Sequence, residues 1–128
     1  MPDNTHEPIL PIPSDLDQQT YRVQDAIEEA RRQVIELHCR YTDLAQAPDA
    51  LRTDTIGADT TPTEATNGAL MWLESTNRAL FAAQDGIGRA RNHTSRLSLT
   101  EQACDERDQR IADREAAFNR RRDIRRVR

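Results

Sequence analysis

The sequence contains few residues that could perform chemistry, and their spacing keeps them apart. His38 and Cys39 are adjacent. Neighbouring residues of a helix diverge by about 100°, so we do not expect this pair to share one metal ion or to act as a nucleophile with its base. His6 and His93 fall in segments of irregular sequence, and Cys104 lies far along the chain. We therefore expect no catalytic residue, no metal site and no cofactor.

The acidic residues are numerous, with 22 Asp and Glu among 128 residues, but they are spread among arginines on predicted helix faces. This environment offers no apolar pocket of the kind that tunes a catalytic acid. The two cysteines are too few for a disulfide framework, so we expect reduced thiols and a cytoplasmic location. The sequence does not favour an enzyme.

The most concentrated charge lies near the C-terminus. Residues 107–128 contain 9 Arg and 4 acidic residues, whereas residues 1–106 contain 9 Arg and 18 acidic residues. Arginine binds phosphate through two parallel hydrogen bonds, so the tail could contact nucleic acid or an acidic partner. No stacking aromatic pair or zinc spacing accompanies it, and a basic segment also suits the negative end of a helix dipole. We rank nucleic-acid binding second to protein binding, and its candidate contacts are Arg120, Arg121, Arg122, Arg125, Arg126 and Arg128.

The composition indicates helices around a thin core. Hydrophobic residues make up 36% of the chain, which includes only five aromatic residues; globular domains usually reach 45–50% apolar residues when glycine is counted. No apolar run is long enough to span a membrane, and the N-terminus lacks the pattern of a secretory signal. We expect neither a membrane partner nor a small-molecule substrate.

Three helix-start patterns organise the chain. Ser14, Thr61 and Ser98 each precede an acidic residue by three positions, as in a capping box. We predict an all-α fold of three long helices, forming an elongated bundle or a coiled-coil hairpin. The predicted ranges are a proline-rich extended arm over 1–13, a helical domain over 14–118 with helices over 14–47, 62–92 and 98–118, a flexible connector over 48–61, and a basic tail over 119–128 that continues the third helix and either frays or projects into solvent.

The first predicted helix has apolar residues at alternating steps of four and three, which is the spacing of a coiled-coil seam. This seam could pack on the other two helices or on a second copy of the chain. The second helix has the same spacing with large and small residues in alternation, which permits close approach of a bulky neighbour. We predict a non-catalytic interaction, adaptor or scaffold-like protein that binds itself or another protein. The residues predicted for its pairing face are Leu16, Val23, Ile27, Val34, Leu37, Tyr41 and Leu44.

Overall fold

The structure, a computed structural model, describes residues 8–127. It contains α1 (Pro13–Ala45), a short 3-10 helix (Pro48–Ala50), α2 (Pro62–Thr94) and α3 (Glu101–Val127). Within residues 8–127 no β-strand is formed. The predicted all-α fold of three long helices is therefore confirmed. Residues 1–7 of the predicted arm, and Arg128, lie outside the described residues.

The first helix begins one residue earlier than its capping pattern predicts. The backbone N–H groups of Asp15 and Leu16 donate to the carbonyl oxygen of Ile12, at 3.0 and 3.1 Å. Pro13 is thus the first helical residue, where a missing N–H removes no helix hydrogen bond. The prediction of Ser14 as the cap was wrong, because this residue lies inside the first turn.

The other two helices begin with a threonine cap. The N–H of Glu64 donates to Thr61 Oγ1 at 3.2 Å, which confirms the predicted cap of α2. At the start of α3, the N–H of Ala103 donates to Thr100 Oγ1, also at 3.2 Å. The prediction of Ser98 as the cap of α3 was wrong: the hydroxyl of Thr100 stands directly before the first turn, and α3 begins three residues later than predicted.

The segment between α1 and α2 contains local structure within the predicted connector. The 3-10 helix Pro48–Ala50 follows α1 closely. Thr53 Oγ1 donates to the carbonyl oxygen of Thr60 at 2.8 Å, which closes a loop of the chain. Gly57 has a φ of 95°, a left-handed conformation that favours glycine. The connector thus contains one hydrogen-bonded loop between Thr53 and Thr60, and its flexibility stays a prediction.

The chain forms two compact units, Gln19–Asn92 and a second one in which residues 8–18 and 93–127 are described. The Gln19–Asn92 unit is an antiparallel hairpin of α1 and α2. Arg91 Nη1 donates to Gln24 Oε1 at 3.2 Å, and Arg31 Nη1 donates to Gln84 Oε1 at 3.3 Å. Residue numbers fall along α2 as they rise along α1, so the two helices run in opposite directions.

The two helices of the hairpin face each other through stripes of mixed polarity. Both stripes have steps of three and four residues and are half-buried, except for Thr66, which is buried. Among the described residues no apolar side chain is fully buried. The predicted core is therefore even thinner than the composition suggests. The facing residues of α1 are Thr20, Gln24, Ile27, Arg31, Val34, His38, Thr42 and Ala45, and those of α2 are Thr66, Leu70, Leu73, Asn77, Leu80, Gln84, Ile87 and Arg91.

The other unit joins the N-terminal arm to α3. Arg107 Nε donates to the carbonyl oxygen of Leu10 at 2.8 Å, and Thr94 Oγ1 donates to Asp17 Oδ1 at 2.7 Å. An open cleft of about 350 Å³ lies beside the arm, with Ile12 among its lining residues. Arm carbonyls that secondary structure leaves without partners thus accept hydrogen bonds from α3. The helix α3 runs through the basic segment and ends at Val127.

Candidate interaction surface

Arginine side chains form polar layers inside the α1–α2 hairpin. Arg31 Nε donates to Asn77 Oδ1 at 3.1 Å, in addition to its bond to Gln84. The Arg31 guanidinium lies 4.7 Å from the centre of the Phe81 ring, within the range of a cation–π contact. A fully apolar interface cannot make these directional contacts. The hydrogen bonds therefore fix the position of Arg31 along the axis of α2.

A second layer of the same kind lies seven residues toward the N-terminus of α1. Arg91 donates to Gln24, and its guanidinium lies 4.9 Å from the centre of the Tyr21 ring. Gly88 faces the same level, where a Cβ atom would stand 3.6 Å from Gln24 Nε2. The two layers repeat at the period of a coiled coil and contribute to the antiparallel register.

Because polar residues occupy part of the facing stripe, large apolar side chains of α1 remain in solvent. Val23, Leu37 and Leu44 are 43–44% exposed, and Tyr41 is 37% exposed. Each is bulky enough to fill a hole on a partner helix. We call this set, together with the half-buried Ala30, the outer stripe of α1: Val23, Ala30, Leu37, Tyr41 and Leu44.

The helix α2 carries a matching set of small residues. They follow steps of three, four and seven over Ala65–Ala90 and are exposed or half-buried. Trp72 lies in the same series and is 67% exposed. Small side chains let another helix approach closely, so this surface is suited to accept bulky residues. We call it the small-residue stripe of α2: Ala65, Ala69, Thr76, Ala79, Ala83, Gly86 and Ala90.

Both stripes lie on the same side of the hairpin. Leu37 comes one residue before His38, which faces α2, and Thr76 comes one residue before Asn77, which faces α1. The same relation holds at each seven-residue repeat. In either helix, a side chain one residue earlier in the sequence points about 100° away around the helix axis. Since the helices are antiparallel, equal rotations away from their interface turn both stripes toward one side, forming a continuous face.

The structure divides the predicted pairing face between two environments. Ile27 and Val34 are half-buried in the stripe that faces α2. Val23, Leu37, Tyr41 and Leu44 are exposed on the outer stripe, and Leu16 is exposed in the second unit. Sequence reasoning missed Gln24, Arg31 and His38 as facing residues. Their exact seven-residue spacing, matched by Asn77, Gln84 and Arg91 on α2, was the available signal.

The arginine-rich end of α3 is helical and accessible. Arg120, Arg121, Arg122 and Arg125 are exposed. Arg120 Nε donates to the carbonyl oxygen of Ala116 at 3.4 Å, a bond within the helix. The other two predicted contacts, the side chain of Arg126 and the whole of Arg128, lie outside what the structure describes.

Two of the residues that could support chemistry lie at one cleft. His38 and Cys39 line an open cleft of about 350 Å³ with Glu74 and Asn77. Over the described part of the chain, no group of three or more potential metal ligands forms. Both Cys39 and Cys104 are exposed free thiols. The same residues include no helix with the length and apolar character required to cross a membrane.

The sequence and the structure were compared with known proteins. No protein-family model, no curated protein and no solved structure matches this chain.

Proposed function

We propose that this protein is a non-catalytic interaction protein of the adaptor or scaffold type, which binds another protein through the face formed by the outer stripe of α1 and the small-residue stripe of α2. The observation that carries the proposal is the exposure of Val23, Leu37, Tyr41 and Leu44 in a repeat along one helix. Soluble monomers keep contiguous apolar surface small, and larger apolar patches mark interaction sites.

The magnitude of the exposed surface supports binding. Full burial of a Val or Leu side chain contributes about 1.5–3 kcal/mol. With about two fifths of each of four side chains still in water, a partner that covered them would gain about 2–5 kcal/mol from this stripe. Contacts along α2 add to that gain. The total free-energy gain from both stripes is typical of reversible association between helices rather than of an obligate interface.

The non-catalytic part of the proposal is supported by the placement of the acidic residues. Glu36 pairs with Arg40 at 2.8 Å, and Asp85 pairs with Arg89 at 3.0 Å; all four side chains are more than half exposed. Solvated ion pairs of this kind stabilise a helix modestly, and these two acidic residues are accounted for by that role. The proposal includes no cofactor, metal or small-molecule substrate. It places the protein in the cytoplasm, where free thiols such as Cys39 and Cys104 stay reduced.

The test is site-specific photo-crosslinking in living cells. A photoreactive amino acid at Leu37, on the proposed face, is compared with the same residue at Glu29, which lies elsewhere on α1 and is exposed. We expect a protein adduct from position 37 and little or none from position 29. Absence of a protein adduct at position 37 would refute the proposal.

The second candidate function is nucleic-acid association through the end of α3. It is favoured by the exposure of Arg120, Arg121, Arg122 and Arg125 on one helix. Neutralising phosphates makes affinity fall steeply with salt. Salt-sensitive binding to a generic DNA duplex that disappears on deletion of residues 119–128 would support this candidate. Unchanged binding after the deletion, or no binding at low salt, would exclude it.

A further inference from the structure

We infer that the occupant of the proposed face is a second copy of this chain, packed so that the outer stripe of α1 in each copy lies on the small-residue stripe of α2 in the other. This inference rests on the proposed function and names its partner. The two stripes of one chain differ in side-chain size but share the same seven-residue period. One copy therefore presents the bulky side chains that the other copy's small residues can accept.

Closed twofold symmetry fixes the arrangement. An axis parallel to the helices places α1 of one copy over α2 of the other, whereas an axis across the helices places α1 over α1. The first arrangement sets bulky residues on small ones, and the second sets bulky residues against each other. The first also makes every pair of adjacent helices antiparallel, as in a four-helix bundle.

The same symmetry fixes the register between the two copies. A rotation about an axis parallel to the helices does not shift any residue along that axis. Within one hairpin Gln24 lies level with Gly88 and Arg91, and Arg31 lies level with Phe81 and Gln84. Counting along each helix from these contacts places Leu37 of one copy beside Thr76 of the other. It likewise places Leu44 beside Ala69, Ala30 beside Ala83, and Val23 beside Ala90. These four levels each join a side chain of α1 to a small residue of α2, and the same count places Tyr41 of one copy beside Trp72 of the other, an aromatic pair.

The size of the face matches what a stable dimer requires. The stripes extend over roughly 35 Å at 1.5 Å per residue, and two packed helices are about 20 Å wide. The face therefore covers on the order of 700 Å² per chain, close to the roughly 800 Å² per partner of a standard interface. Neither stripe contains a charged residue. Dimer formation consequently buries no unpaired charge within the stripes.

The first test is the mass of the purified full chain by sedimentation velocity at about 100 µM. We expect a two-chain species. Leu37→Asp should raise the dissociation constant by about 100-fold or more, and Ala83→Arg should do the same from the opposite stripe. The matched control is Ile35→Asp. Ile35 is 44% exposed like Leu37 but lies about 200° around the helix, so this variant should stay dimeric.

The second test reads the register. Cys39 and Cys104 are replaced by serine, and single-cysteine chains carrying Leu44→Cys or Ala69→Cys are mixed under mild oxidation. We expect a disulfide-linked dimer from the mixture, much less from either chain alone, and none from Ile35→Cys mixed with Ala69→Cys. A linked dimer in the control mixture, or none in the test mixture, would overturn the arrangement.

The two proposals fail in distinguishable ways. A one-chain mass for the unmodified protein overturns self-association. If Leu37 then crosslinks in cells to a different protein, the interaction function stands with another partner. If position 37 gives no protein adduct in cells, both proposals are wrong. All variants are checked for helicity by circular dichroism, so that a loss of mass is not confused with unfolding.

Discussion

Replacement of Arg31 by alanine should destabilise the hairpin far more than replacement of its neighbour Arg32. Arg31 is half-buried, donates to Asn77 and Gln84 at 3.1 and 3.3 Å, and lies over Phe81. At this partial exposure each charge-assisted bond contributes about 0.5–1 kcal/mol, below the 1.5–3 kcal/mol of buried ones. The cation–π contact contributes about 0.5–1 kcal/mol. The expected decrease in the free energy of unfolding is about 2 kcal/mol.

The control isolates the interhelical contacts. The side chain of Arg32 is 70% exposed and pairs only locally, with Glu29 at 2.8 Å. Such a pair contributes about 0.2–0.5 kcal/mol, and both substitutions carry the same gain in helix propensity. Urea unfolding at one fixed protein concentration, followed by circular dichroism, should show the midpoint for Arg31→Ala about 1 M lower than that for Arg32→Ala. Equal midpoints within error would show that the polar layer does not stabilise the hairpin.

Two further predictions concern the helices themselves. Thr61→Ala should lower the free energy of unfolding by about 1 kcal/mol, because it removes the cap of α2, whereas Ser98→Ala should change it by less than about 0.5 kcal/mol; thermal unfolding of the two variants would contradict the cap assignment if their midpoints shifted equally. Gly88→Ala should raise the free energy of unfolding by about 0.5–1 kcal/mol, because the added Cβ meets Gln24 Nε2 at an ordinary 3.6 Å; a lower midpoint in urea would mean that this level of the hairpin is packed more tightly than described.

Local patterns in the sequence were enough to predict the helices. The threonine and proline at the start of α2 and the steps of four and three along α1 depend only on neighbouring residues, which local interactions decide. The caps at Ser14 and Ser98 were predicted wrongly because a second start signal lies close to each: Pro13 at α1 and Thr100 at α3. A proline at the first helical position, or a threonine directly before it, then determines the boundary.

The facing stripes could not be deduced in the same way. Hydrophobicity ranks Leu37 above His38 and Val23 above Gln24, yet His38 and Gln24 face α2. The stability of a hydrogen-bonded arginine layer relative to an apolar one depends on its partners on the other helix. Those partners cannot be identified from the sequence until the register of the two helices is known. Because α1 is rotated so that Gln24 and His38 face α2, Val23 and Leu37 remain exposed on the outer stripe. The candidate site could therefore be identified only from the structure.

The connector between α1 and α2 has a consequence for how the hairpin is held together. Sixteen residues separate Ala45 from Pro62. When extended they could reach about 55 Å, while packed helices are only about 10 Å apart. The connector therefore constrains the position of α2 only weakly. The polar layers must then determine which α2 helix pairs with α1. Two chains that opened together could exchange their α1 helices and rebuild every layer in trans. A connector of only a few residues would prevent two chains from exchanging their α1 helices.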